Sequence, residues 1–200
     1  MTKWESVPGE TPINPSGLKI SGVKNRQELS IVEAECIRKV VVKYLAARPS
    51  SRSAPFDFDW FLRLHKQMFG DVWRWAGKIR TVNLNIGSPF GLIREQLCDL
   101  VENLNSWPGF NIDFTEQAAR LHHRAVQIHP FENGNGRWSR MLANIWLRRN
   151  EQPLTEWPET TIGVQSVIRE SYLEAIKIAD GGDLDPLISM HRKYSQRSAK

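Results

Sequence analysis

Residues 129–140 read His-Pro-Phe-Glu-Asn-Gly-Asn-Gly-Arg-Trp-Ser-Arg and lie between two stretches with the apolar spacing of helices. Glycines let backbone N–H groups approach an anion closely, and a helix N-terminus adds the positive end of its dipole. Arg137 and Arg140 share one helical face and can bind phosphate oxygens. His129 suits removal of a proton from a hydroxyl near neutral pH. The stretch therefore predicts a polyphosphate site beside a base, as phosphoryl or nucleotidyl transfer requires.

Each part of this stretch also has a simpler interpretation. His-Pro-Phe alone is compatible with a helix end and a core phenylalanine, Gly-Asn-Gly with a turn, and two arginines three apart with a solvated helix face. Their combination in this order, within residues 129–140, favours the functional interpretation.

Helical patterns extend outward from this stretch in both directions. The spacing of apolar residues predicts helices over 28–47, 58–69, 93–107, 115–128, 137–149, 161–179 and 186–194. Residues 77–87 alternate apolar and polar side chains between two glycines, which predicts a β-hairpin. The predicted fold class is all-α, a helical bundle with one β-hairpin flap.

Composition predicts a single globular unit. The chain has 200 residues, of which 40% are hydrophobic and 24% charged, as in ordinary globular proteins. Residues 1–25 are rich in proline and glycine and predict an irregular arm. We expect residues 1–56 to form an N-terminal arm and helix packed on the core, and residues 57–200 to form the main domain with its C-terminal helices.

Several observations bear on the compartment and on partners. Cys36 and Cys98 are too few for a disulfide framework, which favours a reducing compartment. Residues 1–19 contain no apolar signal segment, and no apolar run approaches the roughly 20 residues that span a bilayer. We therefore expect a cytoplasmic protein that makes no membrane contact. The net charge of +5 is spread along the chain, so it gives little support to a nucleic acid partner.

The stretch at 129–140 resembles the signature of the Fic family, His-Pro-Phe-x-(Asp/Glu)-Gly-Asn-Gly-Arg-x-x-Arg. The resemblance extends to residues 64–70, 75–81 and 179–187, and so covers about residues 57 to 190. The Gly-Asn-Gly-Arg spelling is similar to the AMP-transferring branch, whereas the death-on-curing toxins have Ala-Asn-Lys-Arg there. The chain looks most like the bacterial subgroup called mobile mystery protein B.

This resemblance implies a protein adenylyltransferase, a Fic-like helical bundle that moves AMP from ATP to a Ser, Thr or Tyr hydroxyl of a target protein. His129 would be the general base, and Arg137 would stabilise charge on the phosphates. The implied nucleotide-binding residues are Phe131, Gly134, Asn135, Gly136, Arg137, Arg140 and Asn144. Within this set Phe131 fixes the loop from the core, Arg140 reaches the terminal phosphate, and Asn144 has either a nucleobase contact or a structural role.

One position departs from the family pattern. The acidic residue that binds Mg²⁺ in the family is Asn133 here, and the neighbouring Glu132 is displaced by one residue. The resemblance implies Mg²⁺ as a cofactor with Asn133 at the metal position. Because an amide brings no charge, we expect weaker metal binding than a carboxylate would give.

The segment between Gly77 and Gly87 resembles the family's flap over the active site. An alternating edge strand can pair with an extended target segment through its backbone. The residues implied in target binding are Lys78, Ile79, Arg80, Thr81, Val82, Asn83, Leu84 and Asn85.

Many Fic proteins are inhibited by a glutamate in a Ser/Thr-x-x-x-Glu-Gly/Asn motif that pairs with the second signature arginine. The chain has no strict match, and the nearest context is residues 29–35. Glu33 and Glu35 are possible inhibitory residues, with Arg140 as the expected partner. Two alternatives stay open: these are solvated glutamates of an amphipathic helix, or control comes from a separate antitoxin.

Other functions remain open at the level of sequence. The substitution at Asn133 is compatible with a Fic protein that binds nucleotide with weak or no transfer, and the scaffold could also transfer another phosphate-containing group. A nucleic-acid-binding protein is suggested by the sequence pI of 9.4 and by a basic set at Arg137, Arg140, Arg148 and Arg149. His122 shares a helical face with His129, but no cysteine or second carboxylate completes a metal cluster there.

Overall fold

The structure is a computed structural model that describes residue 4 and residues 12–158 and 166–195. Seven α-helices form within these residues, and no strand does, so the all-α prediction is confirmed. They are α1 (Arg26–Leu45), α2 (Phe58–Phe69), α3 (Ile93–Ser106), α4 (Phe114–Ile128), α5 (Asn135–Arg149), α6 (Val167–Asp180) and α7 (Asp185–Lys193). Three short 3₁₀ helices accompany them, at Pro15–Gly17, Phe90–Leu92 and Trp107–Gly109.

Side chains that accept backbone hydrogen bonds fix where four of the helices begin. Asn25, Asp57 and Asp113 cap α1, α2 and α4, and Ser166 caps α6. Such caps satisfy amides that have no partner within the helix. The sequence predicted a start for α6 at residues 161–165, which lie outside the described residues.

The core forms where α4 and α5 pack against each other at the centre of the molecule. Ile128 of α4 and Trp138 of α5 are fully buried, together with Phe61 and Leu64 of α2. Buried residues of α1, such as Val40, belong to the same cluster. Because α4 ends at Ile128 and α5 begins at Asn135, this packing holds the connecting loop rigidly between two buried helices.

The C-terminal helices pack on a smaller cluster of their own. Tyr172 and Ala175 of α6 meet Leu187 and Ile188 of α7, and Ala119 of α4 joins them. No helix in the described part of the chain is long and apolar enough to cross a membrane.

The predicted β-hairpin flap is not formed. Residues 77–88 are irregular, although all of them are described, and the nearest strand-like feature is an isolated backbone bridge between Leu18 and Trp73. The reason is Arg80, which is 2% exposed and donates hydrogen bonds to the carbonyls of His129, Val82 and Ser88. The segment folds around this guanidinium and therefore cannot remain extended.

Candidate functional site

A cleft of about 730 Å³ opens where the loop between α4 and α5 faces α1 and α6. The predicted residues that line it are His129, Asn133, Gly134, Asn135, Gly136, Arg137, Arg140 and Glu33. Further basic residues that the sequence did not single out also line it, namely Arg26, Arg124, Arg169 and Lys177. A cleft with this charge is suited to a polyanionic ligand.

The loop at the base of the cleft is shaped by the side chain of Asn135. Its amide nitrogen donates to the carbonyl of Phe131, and its oxygen accepts from the N–H of Phe131, both at 2.9 Å. The side chain is thus used within the loop. This corrects the prediction that the Asn135 side chain holds phosphate, and it leaves phosphate contacts at this position to the backbone.

Two glycines give the loop its path. Gly134 has φ +79°, and a Cβ there would collide with the ring of Phe69. A Cβ at Gly136 would meet no atom within 4 Å, so the space beside the first turn of α5 is open. Trp138 is the first residue whose amide bonds back into the helix, to Gly134. The preceding amides at the start of α5 therefore have no acceptor within the helix and can donate to an anion.

Phe131 does not line the cleft and lies in the core, where we expected it to fix the loop. It is fully buried, stacks on His65 with a centroid distance of 3.6 Å, and meets Trp138 edge to face. Its function is to anchor the loop in the core.

His65 supports the loop from behind, a role that spacing along the chain does not reveal. Its Nδ1 accepts a hydrogen bond from the amide of Gly77, so its Nε2 carries the proton and donates to the carbonyl of Asn133 at 3.1 Å. Burial lowers the pKa of His65 to about 3, which keeps the ring neutral. The beginning of the flap segment is thereby tied to the phosphate loop.

His129 ends α4 in the left-handed conformation, with φ +53°. The side chain is 8% exposed, and a Cβ on Gly87 would collide with its Cβ. The pKa of His129 is lowered to about 4, mainly by burial and also by the charge of Arg80, while a hydrogen bond to the Val126 backbone acts in the opposite direction. The ring is therefore neutral near pH 7, as a general base must be.

Arg80 is buried and contacts the backbone of His129, so its side chain is not exposed to a target protein. Besides its bond to the carbonyl of His129 at 2.8 Å, its backbone amide donates to the carbonyl of Pro130 at 3.0 Å. None of residues 78–85 lines the cleft, whereas Ile86, Gly87 and Ser88 do. Arg80 is therefore internal and is removed from the predicted target-binding set, whereas target contact by the other residues of the set stays a prediction.

Arg137 is held by a glutamate. Its Nη1 lies 2.6 Å from Oε2 of Glu33, whose Oε1 accepts a 2.6 Å hydrogen bond from the indole of Trp73. Glu33 is 5% exposed, and the Arg137 guanidinium also lies 4.8 Å above the ring of Phe69. Glu33 was expected to face Arg140, so its partner is corrected to Arg137.

Arg140 is held by aromatic rings. Its guanidinium carbon lies 4.3 Å from the ring centroid of Tyr172 and 5.1 Å from that of Trp157, and the residue is 6% exposed. Burial lowers the pKa of Arg140, although a guanidinium remains charged. Cation–π contacts hold a cation without neutralising it.

Two further predicted residues lie away from the cleft. The side chain of Asn144 is hydrogen-bonded to the backbone of Thr155. Its oxygen accepts from the Thr155 N–H at 2.9 Å, and its nitrogen donates to the Thr155 carbonyl at 3.0 Å. Glu35 is exposed and pairs with Arg38 on the same helix. Of the two roles left open for Asn144, the structure shows the structural one, and Glu35 does not face the arginines of the cleft, which corrects its possible inhibitory role.

The side chains around the predicted metal position, Asn133, were compared with the ligands that Mg²⁺ needs, and they do not supply them. Asn133 lines the cleft, but its side-chain oxygen accepts a 2.7 Å hydrogen bond from the amide of Gly134. Glu132 is exposed, and within the described residues no three His, Cys, Asp or Glu side chains come together as metal ligands. The residues therefore do not provide the carboxylate that Mg²⁺ commonly uses.

Comparison with known proteins defines the class to which this cleft belongs. Residues 55–147 match the model of the Fic/DOC family, so the chain contains a Fic/DOC family domain. Protein adenylyltransferase fic-1 of Caenorhabditis elegans is 29% identical over 188 residues, which cover 92% of this chain and 35% of that protein. Protein adenylyltransferase Fic of Aedes aegypti is 26% identical over 162 residues. The chain thus spans about a third of these relatives.

Solved structures agree with this assignment. A fragment of Fic-1 from C. elegans, residues 134–508, superposes with a TM-score of 0.69 at 30% identity, over 90% of this chain and 52% of the fragment. BepC of Bartonella tribocorum, solved with bound AMPPNP, superposes with a TM-score of 0.64 at 18% identity, over 96% of both chains. The second likeness shows the fold alone.

Proposed function

We propose that the protein transfers AMP from ATP to a hydroxyl of a target protein, with His129 as the base. The observation that carries this proposal is the shared cleft: neutral His129, the amides at the start of α5 and the guanidinium groups of Arg137 and Arg140 all line it. A base beside a phosphate cradle is what transfer to a hydroxyl requires.

In the proposed reaction a Ser, Thr or Tyr hydroxyl of the target approaches His129. The hydroxyl oxygen forms a bond to the α-phosphorus of ATP while its proton passes to the imidazole. The bond from the α-phosphorus to the oxygen that bridges it to the β-phosphorus breaks, and pyrophosphate leaves with that electron pair. The amides at the start of α5 and the two arginines stabilise the charge that develops on the phosphates. Mg²⁺, where bound, would supply additional positive charge on the phosphates.

The experiment follows label from ATP into protein. The full chain is incubated with α-labelled or γ-labelled ATP and a bacterial lysate, and the matched control is His129→Ala. We expect label from the α position only, and a loss of about 10²- to 10⁴-fold with His129→Ala. The variant should still bind ATP, because the loop and the arginines remain. Transfer at the native rate by His129→Ala would refute the proposal.

The same experiment separates the alternatives. Label from the γ position would indicate transfer of phosphate, and ATP binding without label would indicate a binding-only protein. Nucleic acid binding has less support, because Arg148 and Arg149 donate hydrogen bonds to the carbonyls of Ala46 and Ala54, and Arg137 is paired with Glu33. It would be revealed by a DNA affinity that falls steeply with salt.

We further propose that Glu33 restrains this activity. Its carboxylate neutralises Arg137 and stands in the cleft, where it repels the phosphates of ATP. Glu33→Gln should raise ATP affinity about tenfold. This factor corresponds to roughly 1.4 kcal/mol, the difference expected when a charged partner is replaced by a neutral one. Glu35→Gln, on the exposed face of the same helix, is the matched control. Equal affinities for both variants would leave control to a separate antitoxin or to none.

We place the reaction in the cytoplasm, where ATP is abundant and thiols stay reduced. The chain has two free cysteines, of which Cys98 is exposed.

A further inference from the structure

Behind Arg140 lies a buried chain of side-chain hydrogen bonds, which we name the Arg140 relay. The Tyr172 hydroxyl is 3.0 Å from Nε2 of His122, whose Nδ1 is 3.1 Å from Nε2 of His191. Nδ1 of His191 is 2.8 Å from the hydroxyl of Thr155. His122 and His191 are fully buried, and His122, His191 and Thr155 do not line the cleft.

Arg140 lies beside the first member of this network: its guanidinium carbon is 4.3 Å from the ring centroid of Tyr172, and a guanidinium can only donate hydrogen bonds. The Tyr172 hydroxyl has one proton, for which Nε2 of His122 is the recorded acceptor; in this arrangement His122 carries its proton on Nδ1 and donates to His191. His191 in turn donates to Thr155. Each neutral imidazole accepts one bond and donates one, so all the bonds of the relay run in the same direction.

The histidines are neutral because they are buried. Burial lowers the pKa of His191 to about 3 and that of His122 well below its usual value, and the charge of Arg140 acts in the same direction. The groups that face this pair are Arg140, Tyr172, Thr155 and the ring of Trp157, with His123 beside His122.

The far end of the relay is also fixed. The backbone of Thr155 is held by both groups of the Asn144 amide, and Trp157, two residues further on, provides the second ring beside Arg140. The relay therefore joins α4, α5, α6 and α7 around one guanidinium. Thr155, Tyr172 and His191 all lie outside residues 55–147, the part that matches the family model.

We propose that His122, His191 and Thr155 are positioning residues that hold the Tyr172 hydroxyl and thereby aim Arg140 at the terminal phosphates of the nucleotide. The inference rests on the proposed nucleotide site but not on AMP transfer. It requires that changes in the relay weaken binding of ATP, whose terminal phosphates Arg140 would hold, and leave binding of AMP nearly unchanged.

The test measures the dissociation constants of ATP and AMP by calorimetry, in full chains that also carry His129→Ala so that no turnover occurs. His122→Leu removes the acceptor for Tyr172 and should weaken ATP about tenfold and AMP less than about twofold, as expected for one hydrogen bond in a charged network. His122→Gln keeps an acceptor oxygen, so its ATP affinity should stay within about threefold of the parent. Equal losses for ATP and AMP would overturn the proposal.

A double-mutant cycle with Tyr172→Phe separates positioning from a general loss of stability. Because His122 acts through the Tyr172 hydroxyl, the combination of His122→Leu with Tyr172→Phe should bind ATP no more weakly than Tyr172→Phe alone. Additive losses would refute the relay. Tyr44→Phe removes another buried hydroxyl, which contacts Gln67, and should leave the ratio of the two constants unchanged.

Should His122→Leu fail to fold, Thr155→Val provides the same test, because it is nearly isosteric and removes only the last acceptor. A selective loss of ATP affinity supports the relay, and native affinity overturns it. A parent that binds neither nucleotide refutes both the site and the relay. A parent that binds ATP but, with His129 restored, transfers no AMP refutes the proposed reaction alone.

Discussion

Arg137 and Arg140 lie one turn apart on α5 and line the same cleft, but the protein holds them in opposite ways. Arg137 forms a 2.6 Å ion pair with Glu33, whereas Arg140 lies between the rings of Trp157 and Tyr172. A carboxylate cancels the charge of its partner, and an aromatic ring does not. The contact with Glu33 thus neutralises Arg137, whereas the ring contacts of Arg140 hold its guanidinium without cancelling its charge.

Residues 129–140 alone therefore do not determine how Arg137 and Arg140 act. Glu33 is supplied by α1, and the aromatic rings beside Arg140 come from residues C-terminal to α5, so both partners lie outside residues 55–147, the part that matches the family model. Segments on either side of residues 55–147 thus give the two arginine side chains different electrostatic environments.

The largest effect should follow removal of the Arg140 guanidinium. Arg140→Met should lower kcat for AMP transfer about 10²- to 10³-fold, as is typical when one preorganised donor to a reacting group is lost. The loss should be the same with Glu33→Gln present, because Glu33 does not contact Arg140. Labelled ATP measures it, and Arg120→Met, at an exposed pair with Glu116, is the surface control. A variant with native kcat would show that Arg140 is structural only.

A second effect is a pH dependence of the free energy of unfolding, which arises from His122 and His191, the two buried histidines behind Arg140. Unfolded histidines take up protons below about pH 6.5, whereas His191 in the folded state does so only near its pKa of about 3, and the pKa of His122 is also lowered. The unfolded state therefore binds more protons between these limits, and the free energy of unfolding falls as the pH falls. The two residues together contribute about 3 kcal/mol per pH unit.

Urea unfolding at pH 7.5, 6.5 and 5.5 measures this slope. His65 and His129, with pKa values lowered to about 3 and about 4, add to it with the same sign. His122→Gln should reduce the slope by about 1.4 kcal/mol per pH unit, the contribution of one proton. An unchanged slope would mean that His122 does not stay neutral in the folded protein.

A third and smaller effect concerns the Arg137 side. Arg137→Met leaves the carboxylate of Glu33 buried with the indole of Trp73 as its remaining recorded donor. Breaking a fully buried pair costs about 3–5 kcal/mol, and because the Arg137 side chain is 21% exposed we expect about 2 kcal/mol. Glu33→Gln in the same chain should restore most of it. Thermal unfolding of the single and double variants measures the coupling, and purely additive losses would contradict it.

The fold and the loop could be predicted from sequence because their determinants are local. Helical spacing, the capping position Asp113 and the glycines at 134 and 136 each act within a few residues. The all-α architecture follows from these patterns, as does the turn from α4 into the N-terminus of α5.

The rest depends on contacts between residues distant in the chain. The alternation at 77–87 is typical of a strand, but nothing within it shows that the Arg80 guanidinium is surrounded by carbonyls from 82, 88 and 129. Asn144 is used by Thr155, a contact that spacing along α5 cannot reveal. Glu33 was singled out, yet only the packing of α1 decides that it meets Arg137.

The smallest effect extends the comparison of the two arginines to the metal. Position 133 provides an amide where the family signature has a carboxylate, so we expect the arginines to carry more of the phosphate charge here. Asn133→Asp should lower the Mg²⁺ concentration for half-maximal transfer about tenfold, because a charged ligand adds roughly 1–2 kcal/mol to the interaction with a cation. The gain should be larger in Arg137→Met than in the wild type, since the metal then replaces a lost charge. A Mg²⁺ titration of transfer from α-labelled ATP tests both statements, with Glu132→Asp as the control because Glu132 is exposed and outside the cleft. Coincident curves for Asn133→Asp and the wild type would show that position 133 does not contact the metal.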